Sequence, residues 1–356
     1  MAIIDKPSDY FNTITYSGNG SNPRTLTGVG FQPDWTWLKN RTDGNGHTLA
    51  DSVRGANKTL SSDGTAAEVT DKSDGHLDAF TSDGFTVGAG ISGDGRVNDG
   101  SHTYVAWNWL AGGTASSNTD GSITSSVSAN TTSGFSIVSY TGTGSNATVG
   151  HGLGVAPKVV IIKSLSASYE WRSYFSPIGA GKYMILNENY AEATASNFMN
   201  DTVPTSSVFS LGSGTTPNGS GTTYIAYCFA EKQGYSKFGS FVGNGSNNGT
   251  FCYTGFKPAF VIVKESSGTS NWLMFDNKRD ISNGVDAYVK ANASDGENSG
   301  TDYMDFVSNG FKCRNTQTFF NESGSSYIYM AFAENPFTTS TGVCATARWL
   351  CSYLLT

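Results

Sequence analysis

Four histidines, His47, His76, His102 and His151, are the only imidazoles in 356 residues, and no two have the four-residue spacing of a helical zinc pair. They read as loop polarity. No serine lies in a Gly-x-Ser-x-Gly setting, so the strained elbow that exposes a hydrolase nucleophile is missing. Cys228, Cys252, Cys313, Cys344 and Cys351 form an odd set without a Cys-x-x-Cys pair, which argues against a zinc site or a disulfide framework. Cys228 and Cys252 stand inside apolar runs, where a thiol behaves as a small hydrophobe. The Gly-x-Gly stretches lack the following helix and Lys-Ser/Thr that a phosphate needs, and Gly179-Ala-Gly-Lys182 has no glycine at the P-loop offset. Asp94-Gly-Arg-Val-Asn98-Asp99-Gly100 gathers oxygens that suit calcium, but not at EF-hand spacing, and Asp-Gly also arises from turn chemistry. No catalytic residue, metal or cofactor is assigned, and the chain is expected not to be an enzyme.

Two chemistries remain. A glycan depolymerase needs two carboxylates about 5–10 Å apart, and Asp276, Asp280, Asp286, Asp302 and Asp305 are the candidates. A sugar-binding protein needs exposed aromatic faces on which rings stack. Trp107, Trp109, Phe229 and Phe332 recur at matched positions and read as core. Tyr169, Trp171, Tyr190 and Trp272 stand in loop-like segments without such recurrence and are the sugar-stacking candidates. With 22 Lys and Arg against 29 Asp and Glu, a net charge of −7 and no basic cluster, the chain lacks the cations that displace counterions from nucleic acid. No run reaches the roughly 18 apolar residues of a membrane span, and the first residues lack the pattern of a secretory signal.

The elements that carry these residues repeat. Gly18-Asn19-Gly20-Ser21 returns 124 residues on as Gly142-Thr143-Gly144-Ser145, and a further 101 on as Gly243-Asn244-Gly245-Ser246. The same offsets carry Phe31-Gln-Pro33 through Lys39 onto Val155-Ala-Pro157 through Lys163 and Phe256-Lys-Pro258 through Lys264. Tyr104, Tyr224 and Tyr327 open matching closing runs. Lys39, Lys163 and Lys264, with Glu231 and Glu334, read as a strand-end ion pair. Asp51 and Arg54 match Asp276 and Arg279, where the second copy has Phe175 and Ile178; these read as loop-fixing groups.

Each copy is predicted to be all-β. Lys158-Val-Val-Ile-Ile-Lys163 and Ala259-Phe-Val-Ile-Val-Lys264 are short, β-branched and apolar throughout, as strands covered on both faces are. Forty-three glycines, about 12% against a usual 7%, and 14% charged residues against about 25% disfavour solvent-facing helices and favour short strands with tight turns. The expectation is three tandem antiparallel β-sandwich modules of about 100 residues: 1–112, 134–231 and 232–336, with a Ser/Thr/Gly-rich linker at 113–133 and a tail at 337–356. An edge strand within Gly121-Ser-Ile-Thr-Ser-Ser-Val127 is the alternative to the linker.

Several phrases resemble a family of uncharacterised virion proteins from marine tailed bacteriophages. They are Asp9-Tyr-Phe-Asn-Thr13, Gly134-Phe-Ser-Ile-Val-Ser-Tyr-Thr-Gly142, Gly150-His-Gly-Leu-Gly-Val-Ala-Pro-Lys158, Lys257-Pro-Ala-Phe-Val-Ile-Val-Lys264 and Asp276-Asn-Lys-Arg279. The resemblance runs to about Arg348; the apolar residues 349–356 lie past it. It implies a virion structural protein, fibre- or tail-associated, assembled in the host cytoplasm and released by lysis, with other virion proteins as partners. Loops presented to host-surface polysaccharide would make it an adhesin. A passive capsid-decoration or tail-joint protein is the alternative, and a depolymerase ranks behind both. A homo-oligomer, with a trimer favoured, would bury sheet edges by closed symmetry.

Overall fold

The repeated stretches fold into three copies of one strand arrangement, seen in a computed structural model that describes residues 3–70, 72–281, 284–300 and 302–345. Each copy has an opening strand (Phe11–Ser17, Phe135–Thr141, Ser236–Val242) and a lysine strand (Trp35–Asn40, Val159–Ser164, Phe256–Glu265). Each also has a seam strand (Thr48–Asp51, Arg172–Phe175, Leu273–Asp276) and a closing strand (Thr103–Trp109, Thr223–Phe229, Ser326–Pro336). In all three the sheet order is opening, closing, lysine, seam, with every neighbour antiparallel. A smaller antiparallel sheet covers the outer face of each, built on Arg24–Thr27, Ala147–Gly150 and Phe251–Tyr253 with their partners. The protein is all-β and of sandwich type.

Side chains alternate along a strand, and that alternation decides what each face touches. Val105, Trp107 and Trp109, Ile225, Tyr227 and Phe229, and Ile328, Met330 and Phe332 all point into one buried cluster shared by the three copies. The residues between them, such as Ala106, Ala226 and Ala331, point into three separate clusters under the smaller sheets. The lysine strands are buried on both faces, as their unbroken apolar runs require. Ring contacts cross every boundary: Trp35 stacks on Tyr227 at 4.4 Å, Phe229 meets Phe332 at 5.9 Å and Trp109 meets Phe332 at 5.6 Å. The modules are not separable beads, because the inner face of each large sheet is covered only by the other two.

Residues 113–133 are not a flexible linker. Ser116–Asn118 and Ser125–Asn130 are antiparallel strands that extend the second module's large sheet past its opening strand. Ile123, Ser125 and Val127 are buried while Ser122, Thr124 and Ser126 between them are exposed, so a strand period hides under a linker-like composition. Beyond the closing strand at Pro336, Phe337 N–H bonds Gly255 C=O; residues 346–356, with Cys351 and the apolar end, lie outside the described residues.

The Gly-x-Gly turns have a structural occupation. A Cβ on Gly18, Gly142 or Gly243 would sit 1.8–2.4 Å from a backbone carbonyl, and Gly20, Gly144 and Gly245 have φ of 67°, 74° and 64°. A buried asparagine clamps each turn. In the second module Thr143 N–H donates to Asn218 Oδ1 at 2.8 Å while Asn218 Nδ2 donates to Ser145 C=O at 2.6 Å; Asn98 and Asn321 repeat this. The recurring tyrosines complete the clamp, each hydroxyl accepting a backbone N–H one residue past the asparagine, from Asp99, Gly219 and Glu322. Replacing Asn218 by Ala orphans the Thr143 N–H, and urea unfolding should show a loss of about 1–3 kcal/mol; an unchanged midpoint would refute the clamp.

Candidate functional site

The boundaries between modules, here called seams, concentrate the chain's buried polar chemistry. Trp171 Nε1 donates to Ser61 C=O at 2.9 Å, and Trp272 Nε1 to Ile185 C=O at 3.0 Å. His47, at the matched position of the first module, places Nε2 2.9 Å from Lys290 C=O. Its Nδ1 accepts the Trp37 indole N–H, so Nε2 carries the proton, and burial holds the ring's pKa far below its ordinary value. Backbone bonds follow the same order: Glu68 N–H to Leu165 C=O, Glu192 N–H to Ser266 C=O and Glu297 N–H to Arg41 C=O, at 2.9, 2.8 and 2.7 Å. Each module gives one set of groups to one neighbour and receives the matching set from the other. A head-to-tail contact of this kind closes after three steps into a ring.

Two seams carry a buried ion pair and the third does not. Asp51 Oδ1 accepts the Val53 and Arg54 N–H groups, and its Oδ2 takes the Arg54 guanidinium and, across the seam, the Tyr227 hydroxyl at 2.7 Å. Asp276 repeats this with Lys278, Arg279 and, across its seam, Trp107 Nε1 at 3.0 Å. Glu68 and Glu297 stand beside the two arginines. The loop-fixing role expected of these pairs is only half of what they do. At the third seam Phe175 and Ile178 replace the pair and Met330 replaces the donor, in apolar packing with Trp272. An absent acceptor faces an absent donor.

The recurrent lysines correct another expectation. Alternation turns Lys39, Lys163 and Lys264 inward at the end of the shared core, and all three are fully buried. Glu231 and Glu334 bond Lys237 and Lys257 instead. Lys39 donates to the carbonyls of Asn40, Asn45 and, across the seam, Ser294; Lys163 donates to those of Ser164 and, across its seam, Thr65; Lys264 donates to those of Glu265 and Gly268. Burial holds each amine's pKa down to about 8.

The four sugar-stacking candidates separate. Trp171 and Trp272 are buried seam residues, 0% and 1% exposed, and cannot stack on a sugar. Tyr169 is half-buried, and Tyr190 is 55% exposed. No ring contact joins these two tyrosines among the described residues. Tyr190 lies in the loop between Asn187 and Glu192, which is tied to the third module at both ends: Ser270 N–H bonds Asn189 C=O, and Glu192 N–H bonds Ser266 C=O. Asp276 is spent on its seam, and Asp305 lies 3.3 Å from Arg314. Asp280, Asp286 and Asp302 do converge; the Asp286 carboxyl is raised by burial, then by the charges of Asp302 and Asp280. In the calcium-like loop, Asn98 belongs to the turn clamp and Asp99 accepts from Ser101. Among the described residues no group of three His, Cys, Asp or Glu is arranged to hold a metal, and no helix is long and apolar enough to cross a membrane. Cys228, Cys252, Cys313 and Cys344 are free thiols, the first three buried.

A family model described as a domain of unknown function, DUF7483, matches residues 6–336, a span that takes in all three modules. No curated protein and no solved structure matches the chain.

The seams predict an unequal pair of outcomes. Asp51→Phe alone removes the nearer carboxylate of buried Arg54, leaving only Glu68, and should cost about 3–5 kcal/mol, whereas Asp51→Phe, Arg54→Ile and Tyr227→Met together copy the third seam and should come within about 1–2 kcal/mol of the parent in urea unfolding. Equal losses would mean the ion pair is not what the seam balances. Lys163 bonds two carbonyls, which a neutral amine still serves. Between its folded pKa of about 8 and the ordinary 10.5 the unfolded chain binds more protons, so stability rises with pH in that window. Lys163→Met should reduce that rise; an unaltered slope would show that the buried ammonium is not penalised.

Proposed function

The chain belongs to the DUF7483 family, a domain of unknown function, and we propose that it is a non-enzymatic virion structural protein of a tailed bacteriophage, fibre- or tail-associated, whose loops attach to host-surface glycans. The observation that carries the adhesive part is Tyr190. An aromatic ring that is half exposed, on a loop fixed by backbone bonds at Asn189 and Glu192, offers a sugar a rigid apolar face at little entropic cost. Glu188 and Glu192, the latter paired with Lys182, are the charged residues of the same loop. The virion assignment rests on the resemblance of phrases in all three modules to virion proteins of tailed bacteriophages.

A glycan depolymerase is the second reading, favoured by one observation: Asp286, raised by burial, beside Asp302 and Asp280. A raised carboxyl next to others is the pairing that glycoside hydrolysis uses.

Purified protein should bind host cells or host-surface polysaccharide and compete with phage adsorption, and Tyr190→Ala should weaken that binding at least fivefold without shifting the urea midpoint. Absence of binding, together with labelling of the protein over the whole head, would replace the adhesin by a passive decoration protein. Release of reducing ends from host polysaccharide, abolished by Asp286→Asn, would establish the depolymerase instead; no release removes it.

A further inference from the structure

The second and third modules differ in one respect that their shared architecture makes conspicuous: one side of the sandwich is closed in the second and open in the third. In the second module a single segment closes it. Ser126 and Ser128 pair with Ser139 and Ile137 on the opening strand, while Ile123 N–H donates to Thr148 C=O on the smaller sheet at 3.0 Å and Ser125 Oγ to Gly150 C=O at 2.9 Å. Both sheet edges are thereby covered by one extended stretch, with Ile123, Ser125 and Val127 turned inward.

The third module has the same two edges, and among the described residues no strand pairs with either, although the Ser176–Ile178 turn of the second module packs beside the opening strand. The positions matching Ile137 and Ser139 are Phe238 and Ser240, and the few residues between the closing strand at Phe229 and the opening strand at Ser236 leave no length for a covering segment. Ala333 N–H to Tyr235 C=O and Gly243 N–H to Ser325 C=O turn the odd-numbered residues of the opening strand toward the closing strand, so Ser240 faces outward. On the smaller sheet Cys313 N–H to Thr250 C=O and Thr254 N–H to Asn309 C=O leave Phe251 and Tyr253 facing outward in the same way. Among the described residues no partner is bonded to the outward backbone groups of Ser240, Phe251 or Tyr253. Val242, Phe251 and Tyr253 are 55%, 45% and 60% exposed, and Thr250 Oγ1 bonds Val242 C=O, which joins the two edges into one face. Ser240 also borders a groove of about 380 Å³ between the second and third modules. Ser126 borders the corresponding groove between the first and second.

On the matching side of the first module two outward groups are capped by its own side chains, and the residues left exposed are hydroxylic. Asn12 Oδ1 accepts the Thr13 N–H, Arg24 takes Ser17 C=O at 2.6 Å, and the exposed residues there are Thr15, Ser17, Thr25 and Thr27. In the third module Glu231 Oε1 caps Phe238 N–H and Thr250 Oγ1 caps Val242 C=O at the matching positions, so the difference lies in the exposed residues, which there are aromatic and aliphatic.

We propose that the open side of the third module is a docking slot for an extended strand of a partner polypeptide, which adds to the Phe251–Tyr253 and Ser240 edges as residues 121–130 add to the second module. The segment already seated on the second module states the chemistry of the occupant: small or β-branched residues at three alternate positions, hydroxyl residues between them, and no charge. This slot is independent of glycan attachment through Tyr190.

The test uses the full chain and a synthetic peptide of its own residues 121–130, Gly-Ser-Ile-Thr-Ser-Ser-Val-Ser-Ala-Asn. Amide hydrogen exchange of Ser240, Phe251 and Tyr253 should be fast in the free protein and at least tenfold slower with the peptide at millimolar concentration. A peptide with Pro in place of Ser126 and Ser128 should give no protection. Ser240→Pro removes only an outward N–H, and Tyr253→Lys puts a charge on the edge; each should abolish the peptide effect with an unchanged urea midpoint. Protection of these amides in the free protein would show that the chain's own remaining residues fill the slot, and would overturn the proposal. So would an absence of protection by the first peptide, or equal protection by both.

Discussion

A sheet with two apolar faces has to be covered twice, and this chain covers each of its large sheets once locally and once remotely. The local cover is the module's own smaller sheet. The remote cover is the other two modules, because Trp107 and Trp109, Tyr227 and Phe229, and Met330 and Phe332 all converge on one cluster. At about 25 cal/mol for each square ångström of apolar surface removed from water, an aromatic side chain left uncovered is a large loss. One module alone would expose a whole inner face of such residues. Everything else in the molecule, from the cyclic order of the seams to the place of the lysines, is arranged around keeping that cluster closed.

The same constraint accounts for the composition. Residues that would be charged on an isolated sandwich lie against a neighbour, so they are either apolar or paired. Where a charge persists inside, it has full company: Arg54 and Arg279 each have two carboxylates, and the buried lysines have carbonyls. Phe175, Ile178 and Met330 show that the pair is one of two solutions to the same geometric problem. A buried ion pair and a well-packed apolar trio can be of similar worth, and this chain contains both at equivalent positions.

Much of this was legible in the residues. The offsets of 124 and 101 place the glycine turns, the lysine strands and the closing tyrosines, and unbroken β-branched runs identify strands covered on both faces. What escaped has physical reasons. Trp171 and Trp272 do recur, at the offset of 101 that relates the second and third copies; only the first copy departs, with His47 at the matched position, and indole and imidazole share little except an N–H aimed across a seam. Lys163 at the end of an apolar run looks like a solvent-facing terminus, whereas the strand period points it inward. Residues 113–133 have the composition of a linker, since small serines can be buried in a narrow gap without bulk to announce it. The asparagine clamp was within reach, because Asn98, Asn218 and Asn321 each precede the closing tyrosine by six residues. Tyr190 is exposed, as a sugar-stacking candidate has to be; the loop that carries it is held by bonds to a module more than seventy residues distant, which no local reading contains.

The unequal seams give the ring a built-in direction of failure. Both ion-paired seams border the first module, one through Tyr227 and one through Trp107, while the second and third modules meet through Phe175, Ile178 and Met330 and are joined by a short connection. An agent that competes for ion pairs attacks both attachments of the first module and neither attachment between the other two. Heat and dissolved hydrocarbon act the other way round. The molecule is thus a clasp with one ion-paired jaw and one greasy hinge, two attachments that fail by different physical routes.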